Sequence, residues 1–228
     1  MTFYKRWGRA IELKESYDEY IISFLKREKE SCEPFLEGTS ERIEDAIHVL
    51  MKIDLEEFVF AIDRIDLSYD LRAADFPQFS KFEDGIIRVP ELISFYQDGL
   101  KFREIGYQLR KPKTELAQIK YGENHAKLAA MFSLVSISSS MVRNTTLGNY
   151  LVGASYDEMK PLLQRLLIRE NVIKKLLCGA RNGIVNYEEI ATCMAPSTAI
   201  RRKSNLKILA DFLLERSELE KYKRNINW

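Results

Sequence analysis

Cysteine and histidine are both scarce in this chain: three Cys (Cys32, Cys178, Cys193) and two His (His48, His125) among 228 residues. An odd number of widely spaced cysteines offers no disulfide framework and suits reduced thiols, so a cytoplasmic location is expected. With so few soft ligands, no zinc site of the usual spacing can be assembled, and neither a metal nor another cofactor is expected. Cys178, Cys193 and His48 are most simply core residues. Long apolar runs are missing as well. Stretches such as Leu128 to Val135 fall far short of the roughly 20 residues that span a bilayer, and no charged leader with an apolar core opens the chain. A membrane partner is therefore not expected. The glycine patterns that cradle phosphates or present a nucleophile are absent. A metal-dependent nuclease needs clustered carboxylates, often followed by a lysine two positions on, to hold a cation and activate water. Glu12-Leu13-Lys14 has that local form without an acidic strand before it, and Asp63, Asp66, Asp70 and Asp75 suit a polar helix face or loop. No catalytic residue is assigned, and the chain alone reads as a binding protein more than as an enzyme.

What is present is a globular profile, 46% apolar and 30% charged, long enough for one large domain or two small ones. The net charge of +1 hides an asymmetry: residues 1–82 carry 12 Lys and Arg against 18 Asp and Glu, and residues 83–228 carry 23 against 16. An acidic front and a basic rear suggest a local footprint for a polyanion; an uneven scatter of solvated charge gives the same numbers.

Apolar spacing predicts a helix over residues 10–30, with Tyr17, Tyr20, Ile21, Phe24 and Leu25 on one face. A capped helix follows Thr39-Ser40, and Phe58 to Ile65 fits either helix or short strand. Asp75 to Gly85, containing Pro77, is the best boundary. Three regions are expected: an acidic helical one (1–82), then 83–154 and 155–228. In 83–154 the pattern gives helices over Leu92–Gly99 and Leu100–Leu109, a break at Arg110-Lys111-Pro112-Lys113, and a further helix from about Gly122. Two short strands, Val135-Ser136-Ile137-Ser138 and Met141 to Thr145, then flank a Ser-rich turn. In 155–228 helices are expected from Asp157, from Asn171, over Tyr187–Met194 and over Ser197–Leu214. Glu215 to Trp228 is either a fraying helix end or a rudimentary wing.

Two segments share a pattern: Arg103-Glu104-Ile105-Gly106-Tyr107-Gln108-Leu109 and Glu188-Glu189-Ile190-Ala191-Thr192-Cys193-Met194. Each is polar, acidic, aliphatic, small, two mixed, aliphatic. The small residue suits two helices that cross closely, and the aliphatics at i and i+4 share one face. After the second copy, Ala195-Pro196 is a turn and Ser197 an N-cap. In the next helix Ile200, Leu206, Leu209, Ala210 and Leu213 face inward, leaving Ser197, Thr198, Arg201, Arg202, Lys203, Ser204, Asn205 and Lys207 for a partner. Arg matches guanine, Asn matches adenine, and Ser or Thr suits phosphate or base edges. A solvated helix face is the alternative. Residues 184–214 resemble the helix-turn-helix of many bacterial regulators. The first copy is followed by a basic insert of over ten residues, Arg110 to Gly122, in which Lys111, Lys113 and Lys120 suit phosphate contacts. Gln118, Asn124 and His125, with Lys127 beside them, are the candidate base contacts, and a decorated scaffold loop is the alternative. The strand-turn-strand ending resembles the helix-to-wing passage of winged-helix proteins, over about 88–152.

The resemblance implies a mainly α fold with small β wings: a helical N-terminal region followed by two winged-helix-like (helix-turn-helix) units. It implies sequence-specific binding of double-stranded DNA by tandem winged helices. Such pairs resemble the recognition modules of some restriction endonucleases, in which a separate nuclease domain or subunit cuts. A stand-alone transcriptional regulator, with 1–82 as its dimerising or sensing part, and a winged-helix scaffold that binds protein are the alternatives. The partners implied are duplex DNA and either a second copy or a nuclease.

Overall fold

The computed structural model describes residues 15–228; Glu12-Leu13-Lys14 and the start of the first expected helix lie outside the described residues. Helices α1 (Glu15–Leu25), α2 (Lys29–Glu37), α3 (Ser40–Lys52) and α4 (Leu55–Ile62) come first. A π-helical turn, Asp84–Arg88, runs into α5 (Val89–Ser94), followed by β1 (Leu100–Lys101), α6 (Phe102–Arg110) and α7 (Glu115–Met131). Then come β2 (Val135–Ser138), β3 (Met141–Asn144), α8 (Thr146–Leu151), α9 (Tyr156–Ile168) and α10 (Asn171–Asn182). The chain ends with β4 (Val185–Asn186), α11 (Tyr187–Ile190), α12 (Pro196–Leu214), a 3-10 turn (Glu220–Asn225) and β5 (Ile226–Asn227). The protein is thus mainly helical, with small sheets. Among the described residues no helix is long and apolar enough to cross a membrane.

Two compact units form, and neither is a single stretch of sequence. One, here the hairpin unit, comprises Glu33–Ala46 and Pro77–Leu163; the other, the helical unit, comprises the described residues through Cys32, Ile47–Phe76 and Gln164–Trp228. The change at Phe76 falls in the segment that looked like a boundary. The other changes of unit fall inside α2, α3 and α9, the last of them after Leu163 where a division after residue 154 was expected. Residues 15–82 are divided between the two units. Once charges are assigned to these units each is close to neutral, so the acidic front and basic rear do not correspond to acidic and basic bodies.

In the hairpin unit β3 lies between β1 and β2, all antiparallel, with Leu100 opposite Val142 and Val135 opposite Asn144. Alternation brings Val135 and Val142 into the core. Ser139 and Ser140 both take positive φ (49° and 67°), the mirror-image turn whose twist matches a tight hairpin. Around the sheet pack Ile86, Val89, Ile93, Ile105, Leu128, Phe132 and Leu147, all buried. Thr146 Oγ1 donates to Gly38 O at 3.0 Å, tying the 33–46 segment to α8.

In the helical unit the apolar faces of α1, α4, α10 and α12 supply the core, including Phe24, Phe58, Ile173, Leu177, Leu206 and Leu213. Phe58 to Ile65, ambiguous in the sequence, is helical through Ile62. Arg165 donates to Leu50 O at 2.7 Å and Ile53 O at 2.8 Å, pinning α9 to the end of α3. Gln164 donates to Phe212 O and Leu213 O near the end of α12. Arg169 is wholly buried, its guanidinium 4.6 Å from the Phe24 ring centre and donating to Leu166 O at 3.3 Å. Burial brings its pKa down to about 10. Residues 215–228 are neither a frayed helix nor a hairpin: β5 pairs in parallel with β4 through Val185–Ile226 and Asn186–Asn227.

Candidate nucleic-acid interface

The pair α6 and α7 is built for close approach. Glu104 accepts the Lys101 N–H at 2.7 Å and so caps the start of α6. Lys111, at φ 49°, ends α6 in the left-handed conformation, and Pro112 follows, which cannot continue the helix. Thr114 Oγ1 then accepts from Ala117 N at 3.3 Å and starts α7. The turn is therefore Lys111 to Thr114, of ordinary length, and the long basic insert expected from the sequence does not exist. Its residues from Glu115 onward belong to the helix. Gly122, taken as a helix start, sits in mid-helix for a steric reason. A Cβ on Gly122 would lie 1.8 Å from Phe102 O, and one on Gly106 would lie 1.9 Å from Gln118 O. The two glycines face one another where the backbones touch.

This placement sorts the candidate residues. Lys111, Lys113, Lys120 and Lys127 are exposed, on the turn and along one face of α7. Lys127 pairs with Glu123 at 2.6 Å, one turn back. Asn124 is half-buried. Gln118 is also half-buried, and its Nε2 donates to Pro112 O at 2.9 Å, bracing the turn. His125 cannot be a base contact, because it is 1% exposed and both ring nitrogens are engaged inside the unit. Nδ1 lies 2.7 Å from Tyr121 O, an atom that only accepts, so Nδ1 carries the proton and Nε2 accepts from Lys81 N at 3.4 Å. Burial pushes the imidazole pKa below its ordinary value.

His125 belongs to a network that the sequence did not reveal. Its ring stacks on Tyr121 with centres 4.2 Å apart. Tyr121 Oη donates to Asp84 Oδ2 at 2.7 Å, and Arg88 donates to Asp84 Oδ1 at 2.9 Å. Burial raises the Asp84 pKa, but the hydrogen bonds from Tyr121 and Arg88 outweigh it and hold the carboxyl below its usual range. The network fixes the middle of α7 to the π-helical turn. The signals were two i,i+4 pairs, Asp84 with Arg88 and Tyr121 with His125, on segments whose helicity the sequence did not display.

The second pair, α11 and α12, is less regular. The first of its helices, expected to run to Met194, ends at Ile190, and the cap of α12 is Ala195 with Pro196 in its first turn, so Ser197 is inside the helix. Ala191 is buried at the end of α11, where the shared pattern places its small residue. Tyr187 ties the pair together: its hydroxyl donates to Ala199 O at 2.7 Å and its ring meets Phe76 edge-on. Ser197, Arg201, Ser204 and Lys207 lie exposed along α12, with Thr198 half-buried. Three expected contacts are occupied within the fold. Arg202 donates to Phe76 O, Lys203 pairs with Glu188 at 2.9 Å, and Asn205 is 8% exposed. Burial, followed by the neighbouring Arg201 charge, lowers the Arg202 pKa. Ile200, expected to face inward, points to solvent instead.

No family model, curated protein or solved structure matches the chain.

The remaining polar candidates are accounted for locally. Asp63 pairs with Arg181, Asp66 accepts from Ser68 N at 2.7 Å, and Asp75 accepts from Arg72 N at 2.6 Å. Among the described residues no group of three or more His, Cys, Asp or Glu could hold a metal ion. Two residues taken for core are not: His48 and Cys193 are exposed, while Cys178 is half-buried.

Proposed function

We propose that this protein binds double-stranded DNA, with α6–α7 and α11–α12 acting as helix-turn-helix units and the hairpin unit as a winged helix. One observation carries the proposal: α6 and α7 cross in backbone contact through Gly106 and Gly122 around a four-residue turn, leaving Lys113 exposed on the turn and Lys120 and Lys127 exposed along α7. The β1-β3-β2 order and the tight hairpin that follows α7 support the winged-helix assignment. In this arrangement the turn and the first half of α7 meet a groove while the lysines meet phosphates. On α12 the corresponding cations are Arg201 and Lys207.

Anisotropy titration of a labelled random-sequence duplex across a salt series tests the proposal. Affinity is expected to fall linearly on a log–log plot, and each phosphate-contacting lysine changed to Ala should reduce the slope by about 1. Binding that is flat with salt, or indifferent to Lys113→Ala, Lys120→Ala, Arg201→Ala and Lys207→Ala combined, would refute it. Within this function the proposed role is recognition, in a restriction-type system whose cleavage is supplied elsewhere. Incubated with plasmid and magnesium, the chain alone is expected to leave the DNA intact.

A further inference from the structure

Two large aliphatic side chains stand exposed in the opening turns of α7 and α12. Leu116 is 66% exposed at the second position of α7, and Ile200 is 72% exposed at the fifth position of α12. The core faces of these helices lie elsewhere, on His125, Ala126, Leu128 and Ala129 in α7 and on Leu206, Leu209, Ala210 and Leu213 in α12. Exposed cations share these helix ends, Lys113 and Lys120 within four residues of Leu116 and Arg201 next to Ile200 in sequence, with Lys207 about two turns on; Glu115, which precedes Leu116, pairs with Arg103. Its near neighbours are small, Ala117 on α7 and Ser197 and Ser204 on α12. An exposed aliphatic on a helix end that also carries exposed cations matches a polyanion with an isolated apolar spot. In the major groove that spot is a methyl group at C5 of a pyrimidine, carried by thymine and equally by 5-methylcytosine.

We propose that Leu116 and Ile200 each read pyrimidine C5-methyl groups, making methyl-bearing pyrimidines the preferred contacts of both helices. The inference rests on the duplex-binding function proposed above. Burial of a methyl against an aliphatic side chain favours the methylated base over its demethylated analogue without any change in hydrogen bonding, so specificity comes from shape and dehydration rather than from polar pairing.

The test uses the full chain and duplexes it selects from a random-sequence pool. Each selected duplex is compared with a copy carrying uracil for thymine and a copy carrying 5-methylcytosine for cytosine. Uracil is expected to weaken binding roughly fourfold for each contacted methyl, the factor that burial of one methyl carries. In Leu116→Ala or Ile200→Ala, both exposed and folding as the parent by circular dichroism, the uracil penalty should disappear at the contacts that side chain covers. The salt dependence should persist in both. A gain with 5-methylcytosine and no loss with uracil would assign the methyl to modified cytosine and uphold the roles of the two side chains. If neither base change alters affinity while binding remains salt-dependent, the methyl inference fails and duplex binding stands. If no duplex is bound at any salt concentration, both fall.

Discussion

Replacing Lys174 by methionine should stabilise the helical unit at neutral pH and flatten part of its pH response. Lys174 is buried on α10, where Nζ donates to Leu25 O at 3.1 Å and lies 5.6 Å from the centre of the Tyr69 ring. Burial, then the like charges of Arg27 and Arg169, lower its pKa from 10.5 to about 8. A lowered lysine pKa means that the folded state gives up its proton first. Between about pH 8 and 10.5 the unfolded chain binds more protons than the folded one, so stability rises with pH across that window. Below the window the cost of holding the charge is fully present. At about 1.4 kcal/mol for each pH unit, that cost is about 3 kcal/mol. Methionine removes it but leaves Leu25 O without this donor, a loss of about 1–3 kcal/mol. The expected net gain at neutral pH is therefore about 1 kcal/mol, seen as a higher urea midpoint by circular dichroism. As pH rises through the window the parent should catch up with and overtake Lys174→Met. A stability difference that stays constant from neutral pH to the top of the window would refute the argument, since the charge would then cost nothing to bury.

Gly106→Ala and Gly122→Ala should each lower the melting temperature and abolish duplex binding through α7. Their new Cβ atoms meet backbone carbonyls that cannot rotate away, at a cost of about 1–3 kcal/mol or more; a variant with unchanged melting and binding would show that the crossing is looser than the geometry requires. His125 is held neutral with a pKa below 6.5, so its contribution is present above 6.5 and lost as pH falls through the folded value. The melting temperature should accordingly drop as pH falls from 6.5 towards the folded value, and His125→Gln should remove part of the drop; an equal acid response in the variant contradicts this. Tyr187→Phe removes the hydroxyl bond to Ala199 O and should cost about 1 kcal/mol, with faster amide exchange in the first turn of α12 as the local signature. Unaltered exchange there would mean that the ring alone holds α11 to α12.

The hairpin was legible because alternation and turn chemistry act within a few residues: Val135–Ser138 and Met141–Asn144 stand almost where the pattern places them. The small-residue position of the shared pattern was legible too, at Gly106. The start of α7 was not. Gly122 carries the mark of a helix break, and only its contact with Phe102 O explains a glycine in mid-helix. The Thr114 cap that defines the true start sits two residues after a proline, so the break signal overrode it. The two-residue strands β1 and β5 depend on partners distant in sequence and leave no periodicity to detect. Polar candidates divided by packing rather than by type. Arg201 is exposed while its neighbour Arg202 serves Phe76 O, and Asn205 fell on the core side of the α12 stripe that Ile200 vacates. Small differences of helical phase decide such cases, which are finer than residue type can specify.

The interleaving of the two units through α3 and α9 sets an order for their birth. Every segment of the hairpin unit has been made once residue 163 is joined, whereas the helical unit still lacks Gln164–Trp228. Helices α1 and α4 must therefore wait with their apolar faces uncovered until α10 and α12 emerge, more than a hundred residues after α4. Contacts spanning so much sequence form late and slowly. During that interval the nascent chain presents the faces around Phe24 and Phe58 to whatever else is nearby, which makes holding factors at the ribosome exit most valuable for this half of the molecule. For the same reason a truncation after residue 163 keeps every segment of the hairpin unit but removes Gln164–Trp228 from the helical unit.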